Sequence, residues 1–136
     1  MTVFLCLDNK GGMMFNKRRQ SRDAKVIEDI ARVADDGLIY ISDFSEILFE
    51  ESSASVICVP NPLEAASANA FVFCEDSGIS EFTEKIDRLI IYRWGEIYPS
   101  DMKLDINPES CGFRLKSTRK FKGKSHDNIT REDYIK

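Results

Sequence analysis

Residues 70–94 read AFVFCEDSGISEFTEKIDRLIIYRW. Ala70–Cys74 (AFVFC) and Arg88–Trp94 (RLIIYRW) are short apolar runs rich in aromatic and β-branched residues, so they predict strands buried on both faces. Between them Ile79, Phe82 and Ile86 recur at helical spacing, which predicts a short helix over Ile79–Ile86 with those three side chains facing inward. Strand, helix and strand in so few residues form a unit whose strands run parallel, joined by a right-handed crossover.

The same alternation extends toward the N-terminus. Thr2–Leu7 (TVFLCL) predicts a buried strand, and Asp8-Asn9 with Gly11-Gly12 opens a flexible loop that runs to about Gln20. Ser21 is a candidate N-cap for a helix carrying Val26, Ile27, Ile30 and Val33 on one face, ended by Asp35-Asp36-Gly37. Leu38–Ile41 predicts a strand, Asp43–Phe49 a short helix and Ser55–Val59 another strand, closed by Pro60-Asn61-Pro62 because proline cannot donate to a ladder. Leu63–Ala68 reads as a brief turn or helix. Beyond Tyr98 the texture changes to alternating, charged runs over Met102–Ile106, Phe113–Lys120 and Asn128–Ile135, as antiparallel strands require. The expectation is one α/β domain over residues 1–136: a three-layer arrangement around a mostly parallel sheet that ends in an antiparallel C-terminal hairpin.

Composition narrows the classes. With 43% hydrophobic and 31% charged residues the chain is neither disordered nor a coiled coil. No apolar run approaches the roughly 20 residues that span a bilayer, and Met1–Leu7 lacks a basic flank and a cleavage site, which points to a cytoplasmic protein without a membrane partner. Cys6, Cys58, Cys74 and Cys111 are scattered without a C-x-x-C pair and are expected to be reduced and buried. His126 is the single histidine, which argues against a zinc site. The net charge of −4 is uneven: residues 10–25 carry Lys10, Lys17, Arg18, Arg19, Arg22 and Lys25 against Asp23 alone, and residues 114–124 carry six cations and no acid.

From Phe71 to about Tyr134 the chain presents a strand, a tight loop, the segment from Ile79, then Lys85-Ile86-Asp87-Arg88-Leu89 entering the next strand. Tyr98-Pro99, Asp101, Phe121-Lys122-Gly123 and Ser125-His126-Asp127 follow. In this order the chain resembles the second half of the dihydrofolate reductase family, and Ser21-Arg22-Asp23, opening a helix after a glycine-methionine loop, is similar to the family's Pro-x-Asp segment. The resemblance implies that fold. It also implies a pterin-protonating role for Asp23, beside which stands the plain reading of Asp23 as a helix N-terminal acid. The sequence departs from the family where dinucleotide phosphates are held. Glu75-Asp76-Ser77 replaces a run of glycines at a helix N-terminus, and Ser42-Asp43-Phe44-Ser45 replaces a Gly-Arg-x-Thr turn. The stretch from Pro60 to Ala70 is also too short for the family's extra strand-helix unit. Repulsion from Glu75 and Asp76 is expected to exclude NADPH, so no cofactor is expected. The string Gly11–Asp23 (GGMMFNKRRQSRD) also looks like small bacterial proteins of unassigned role, some labelled ribonuclease Z; a single histidine cannot supply the His-rich zinc cluster which that label requires.

Lys17, Arg18, Arg19 and Arg22 read either as a solvated loop or, joined to Arg114–Lys124, as a basic patch for an acidic protein face. Trp94 and Tyr98, near Tyr92 at a strand end, read either as core rim or as interface anchors. Nucleic acid fits less well than protein because the basic runs lack interleaved aromatics. Ser125-His126-Asp127 reads as a turn, since adjacent side chains diverge and form no triad. No complete catalytic set emerges. The leading expectation is therefore a non-enzymatic binding protein of bacterial toxin-immunity type, with Lys17, Arg18, Arg19, Arg22, Trp94 and Tyr98 as partner-binding residues. The alternatives are a small pterin- or nucleotide-binding enzyme using Asp23 as acid, and an RNA-associated protein using the basic segments.

Overall fold

The computed structural model describes all 136 residues. Its strands are β1 (Thr2–Leu7), β2 (Gly12–Phe15), β3 (Arg18–Arg19), β4 (Ile39–Ile41), β5 (Val56–Cys58), β6 (Phe71–Phe73), β7 (Arg88–Arg93), β8 (Met102–Lys103), β9 (Arg114–Phe121) and β10 (Ile129–Ile135). The α-helices are α1 (Ala24–Ala34) and α2 (Pro62–Ala65). Seven strands form one sheet in the order β5-β4-β6-β1-β7-β10-β9, parallel from β5 to β7 and antiparallel over the last two pairs. The mostly parallel α/β sheet with a closing C-terminal hairpin is thus the architecture anticipated from the sequence.

Side-chain alternation explains why β1 is apolar throughout. Val3, Leu5 and Leu7 join the core on one face, whereas Phe4 points to the other, where Ile90, Tyr92 and Trp94 of the neighbouring strand region also lie. That second face is covered by α1, which buries Val26, Ile27, Ile30 and Ala34 against it. Each fully buried aliphatic side chain contributes about 1.5–3 kcal/mol of transfer free energy, so the α1 stripe is a main support of that layer. The first face is covered by Leu63 of α2, by Phe113, and by Met13 and Met14 of a small second sheet of order β3-β2-β8.

Five local expectations are corrected. Residues 10–20 contain the β2–β3 hairpin rather than a flexible loop; Met14 pairs with Arg19 and Phe15 with Arg18. The N-cap of α1 is Asp23 and not Ser21, because the Asp23 carboxylate accepts the Lys25 amide. Ile79–Ile86 is not an α-helix but two tight turns: Phe82 donates to the Ile79 carbonyl, and Lys85 and Ile86 donate to those of Phe82 and Thr83. Ile79 and Ile86 still face inward, fully buried, which is why their spacing mimicked a helix. Met102–Ile106 contributes only the two residues of β8, and these leave the main sheet to pair with β2. Among the cysteines, all free, only Cys74 is buried outright; the other three are partly exposed.

Candidate functional site

The front of the molecule is organised by Asp8, 1% exposed, at the end of β1. Its carboxylate accepts the amides of Lys10 (2.7 Å), Gly12 (2.9 Å) and Tyr98 (3.2 Å) and the Gln20 side chain (3.1 Å). Burial alone would raise its pKa, yet these donors hold it below the usual carboxylate range. From this anchor projects the β2–β3 hairpin. Its two-residue turn, Asn16-Lys17, has both φ values positive (53° and 60°), the hand that matches strand twist in tight hairpins. The Asn16 amide donates to Asp101. Phe15, 47% exposed, and the exposed Lys17 and Arg18 stand at the tip.

Arg19 leaves the basic run and turns inward. Its guanidinium makes a bidentate pair with Glu75 (both contacts 2.7 Å), donates to the Phe44 carbonyl (2.9 Å) and lies 4.5 Å from the Phe44 ring centre. Ser45 donates to the same carboxylate at 2.6 Å. The neighbouring Asp76 accepts the Ser42 hydroxyl. Repulsion of a phosphate by a free Glu75, as anticipated, therefore does not arise, since the carboxylate is buried and paired. A different acid closes the place. Asp105 accepts the amides of Ile79 (2.9 Å) and Ser80 (3.2 Å), which outweigh burial and hold its pKa down. A Cβ on Gly78 would collide with the same carboxylate.

A dinucleotide phosphate at this turn needs free amides at a helix end. Here the amides are bound by an internal carboxylate, and the turn is a three-residue 3-10 segment, Ser80–Phe82. The residues present do not fit such a cofactor. No group of three His, Cys, Asp or Glu side chains converges in a way that could hold a metal.

A second cluster joins α1 to the turn between β9 and β10. Asp23, with a side chain fully shielded from solvent, accepts the amides of Lys25 (2.9 Å), Lys124 (2.8 Å) and Ser125 (2.9 Å). Its approach is so close that a Cβ on Gly123 would strike it. Burial is outweighed by the Lys124 amide, His126 and the remaining donors, so Asp23 is held ionised, well below the ordinary carboxylate range. An acid so held is a poor proton donor to a pterin. His126 Nδ1 lies 2.8 Å from Asp23 Oδ2, and Nε2 lies 2.7 Å from Ser21 Oγ. Trp94, 3% exposed, stacks on the imidazole with ring centres 4.6 Å apart, so its ring belongs to the core. Tyr98 is half-buried, its hydroxyl flanked by Ser21 and Glu96.

The two basic segments meet here at one point: Arg22 and Lys124 line the same open groove, of about 1150 Å³, between α1 and the 3-10 segment Asp43–Phe49. Lys17 and Arg18 lie apart on the hairpin. Farther along α1, Asp29, 1% exposed, gathers Tyr92 (2.7 Å), Arg119 (2.6 Å), Arg131 (3.1 Å) and Arg32, fixing the C-terminal hairpin to the helix. Arg119 is thereby withdrawn from the basic patch.

Sequence reasoning did not find Glu75 with Arg19, Asp105, Asp29, or Ser21 with His126 as partners. The first and last join residues 56 and 105 positions apart, and no periodicity signals such pairs. Asp29 carried one legible signal, an acid on the buried stripe of an amphipathic helix.

No family model matches the sequence, and no curated protein matches it. In structure the chain is similar to dihydrofolate reductase from Enterococcus faecalis, solved in complex with NADP(H) and RAB-propyl. The TM-score is 0.68 at 8% identity, and the match covers 98% of this chain and 94% of that one. The fold is dihydrofolate reductase-like; a shared ribonuclease Z identity has no support among these comparisons. No helix is long and apolar enough to cross a membrane.

Proposed function

We propose that this chain acts by binding a protein partner and not by nucleotide-dependent reduction, and that it neutralises a cognate toxin as an immunity protein. The reading rests on the β2–β3 hairpin. A left-handed two-residue turn, braced by Asp101 and by the Asp8 cluster, sets Phe15 opposite Arg18 and next to the turn that carries Lys17, with no internal ion-pair partner for either cation. An exposed aromatic flanked by cations on a rigid support is a pre-organised anchor for an acidic protein surface, because little side-chain and loop entropy is lost on contact. The occupied amides at Ile79 and Ser80 support the same reading by removing the seat of a dinucleotide.

The test is rescue of growth when the chain is co-produced with the toxic product of its neighbouring gene, together with the mass of the purified complex. Rescue with a one-to-one complex is expected, and a Lys17→Glu/Arg18→Glu double variant should lose both while keeping its circular dichroism. Absence of rescue by the unaltered chain, or undiminished rescue by the double variant, contradicts the proposal. Steep loss of RNA affinity with salt would favour the RNA alternative instead.

A further inference from the structure

The hydrogen-bond order through His126 carries an inference independent of the partner reading. With Asp23 ionised and able only to accept, the 2.8 Å contact at Nδ1 is a hydrogen bond that the imidazole donates to Oδ2. The lone pair on Nε2 then accepts the Ser21 hydroxyl across 2.7 Å. Serine to Nε2 and carboxylate to Nδ1 is the nitrogen order that general-base activation of a hydroxyl demands. Trp94 fixes the plane of the ring by stacking at 27°. His126 is 7% exposed at its side chain and Asp23 is fully covered, so the relay is shielded from bulk water.

A structural clasp between α1 and the 122–126 turn would need only the bonds from Asp23 to the Lys124 and Ser125 amides. It would require neither Ser21 nor the imidazole's orientation. Ser21 also faces usable space. It lines a recess of about 10 Å³, room for one water, with Cys6, Glu75 and Trp94. The recess shares Arg22, Asp23, Ile27 and Leu48 with the open groove, whose lining sets Glu28, Asp35, Glu50 and Glu51 beside Arg22, Arg32 and Lys124. Competing thiols are poor nucleophiles here: burial and neighbouring groups push Cys74 and Cys58 up to about 11.

We propose that Ser21 is a nucleophile, activated by His126 and oriented through Asp23, that accepts the acyl group of small, uncharged activated esters. Ser21 Oγ bonds to the ester carbon while its proton passes to Nε2. The tetrahedral species collapses with cleavage of the bond to the alcohol oxygen, which departs with the proton from Nε2. Water then attacks the Ser21 ester, giving its proton to Nε2, and Ser21 Oγ leaves and recovers that proton. The sum is ester plus water to acid plus alcohol.

The experiment treats the full chain with a fluorophosphonate probe, maps the adduct by mass spectrometry, and follows hydrolysis of 4-nitrophenyl acetate and of mono-4-nitrophenyl succinate. A single adduct at Ser21 is expected, lost in Ser21→Ala and on unfolding in urea. His126→Gln, which retains a hydrogen-bonding side chain, should slow labelling by about a hundredfold, the share a general base contributes. The acetate should be preferred to the anionic succinate ester, because the groove lining carries more acids than cations. Absence of an adduct at Ser21 in the folded chain, or equal labelling of folded His126→Gln, overturns the proposal.

Discussion

The front of the sheet and the hairpin flank both bury carboxylates, but they spend them differently. At the front the work is divided among several acids, each with one or two partners: buried Glu75 takes Arg19 and Ser45, Asp76 takes Ser42, and the exposed Asp105 takes two amides of one turn. On the flank one acid joins several distant elements. Asp29 ties α1 to β7, β9 and β10, and Asp23 ties the start of α1 to the turn that precedes β10. The contrast separates two roles. The flank's acids hold the layers of the fold together, whereas the front's acids occupy the guanidinium, hydroxyl and amide donors of one surface.

The comparison is broken most sharply at Asp29. Removing this carboxylate strands the buried Tyr92 hydroxyl and leaves Arg131 with Asp133 alone, while the exposed Arg32 and Arg119 turn to solvent, so Asp29→Ala should lose about 3–4 kcal/mol of stability, read by urea unfolding. If it loses less than Glu75→Gln, the flank is not the keystone. The acid limb sharpens the same point. Asp8, Asp23, Asp29, Asp105 and Asp133 all have folded pKa values below their unfolded ones. Their contribution is therefore present above about pH 4 and is lost as pH falls through the folded values. The urea midpoint should fall as pH drops below about 4, and less steeply in Asp29→Ala.

At the front, Glu75→Gln leaves Arg19 facing a neutral amide in a site where the carboxylate side chain is 6% exposed and the guanidinium 17% exposed. The expected loss is about 2–3 kcal/mol by the same measurement. The smallest effect belongs to Asp105→Ala. Its two amide bonds are solvent-screened, so about 1 kcal/mol is expected, with thermal unfolding as the readout.

Much of the fold was legible because β1, β6 and β7 are buried on both faces and therefore show as continuous apolar runs. The β2–β3 hairpin was hidden. Asn16-Lys17 lacks the glycine that usually marks such a turn, and the charges of Lys17, Arg18 and Arg19 mask a strand. Ile79, Phe82 and Ile86 matched a helix because successive three-residue turns return side chains to the same face at nearly the same spacing. At the site, the basic character of residues 17–22 could be read, but which cation is free could not. Arg19 and Arg18 are adjacent in sequence, yet one pairs with Glu75 and the other faces solvent, a distinction set by strand alternation in a hairpin the charges concealed.

The Ile79 and Ser80 amides are already bound by Asp105 beside a buried Arg19–Glu75 pair, which leaves a dinucleotide phosphate without donors there. Calorimetric titration of the full chain with NADPH tests this directly. No saturable heat is predicted at millimolar NADPH, and saturable micromolar binding that weakens with Ile79 or Ser80 facing an altered turn would contradict it.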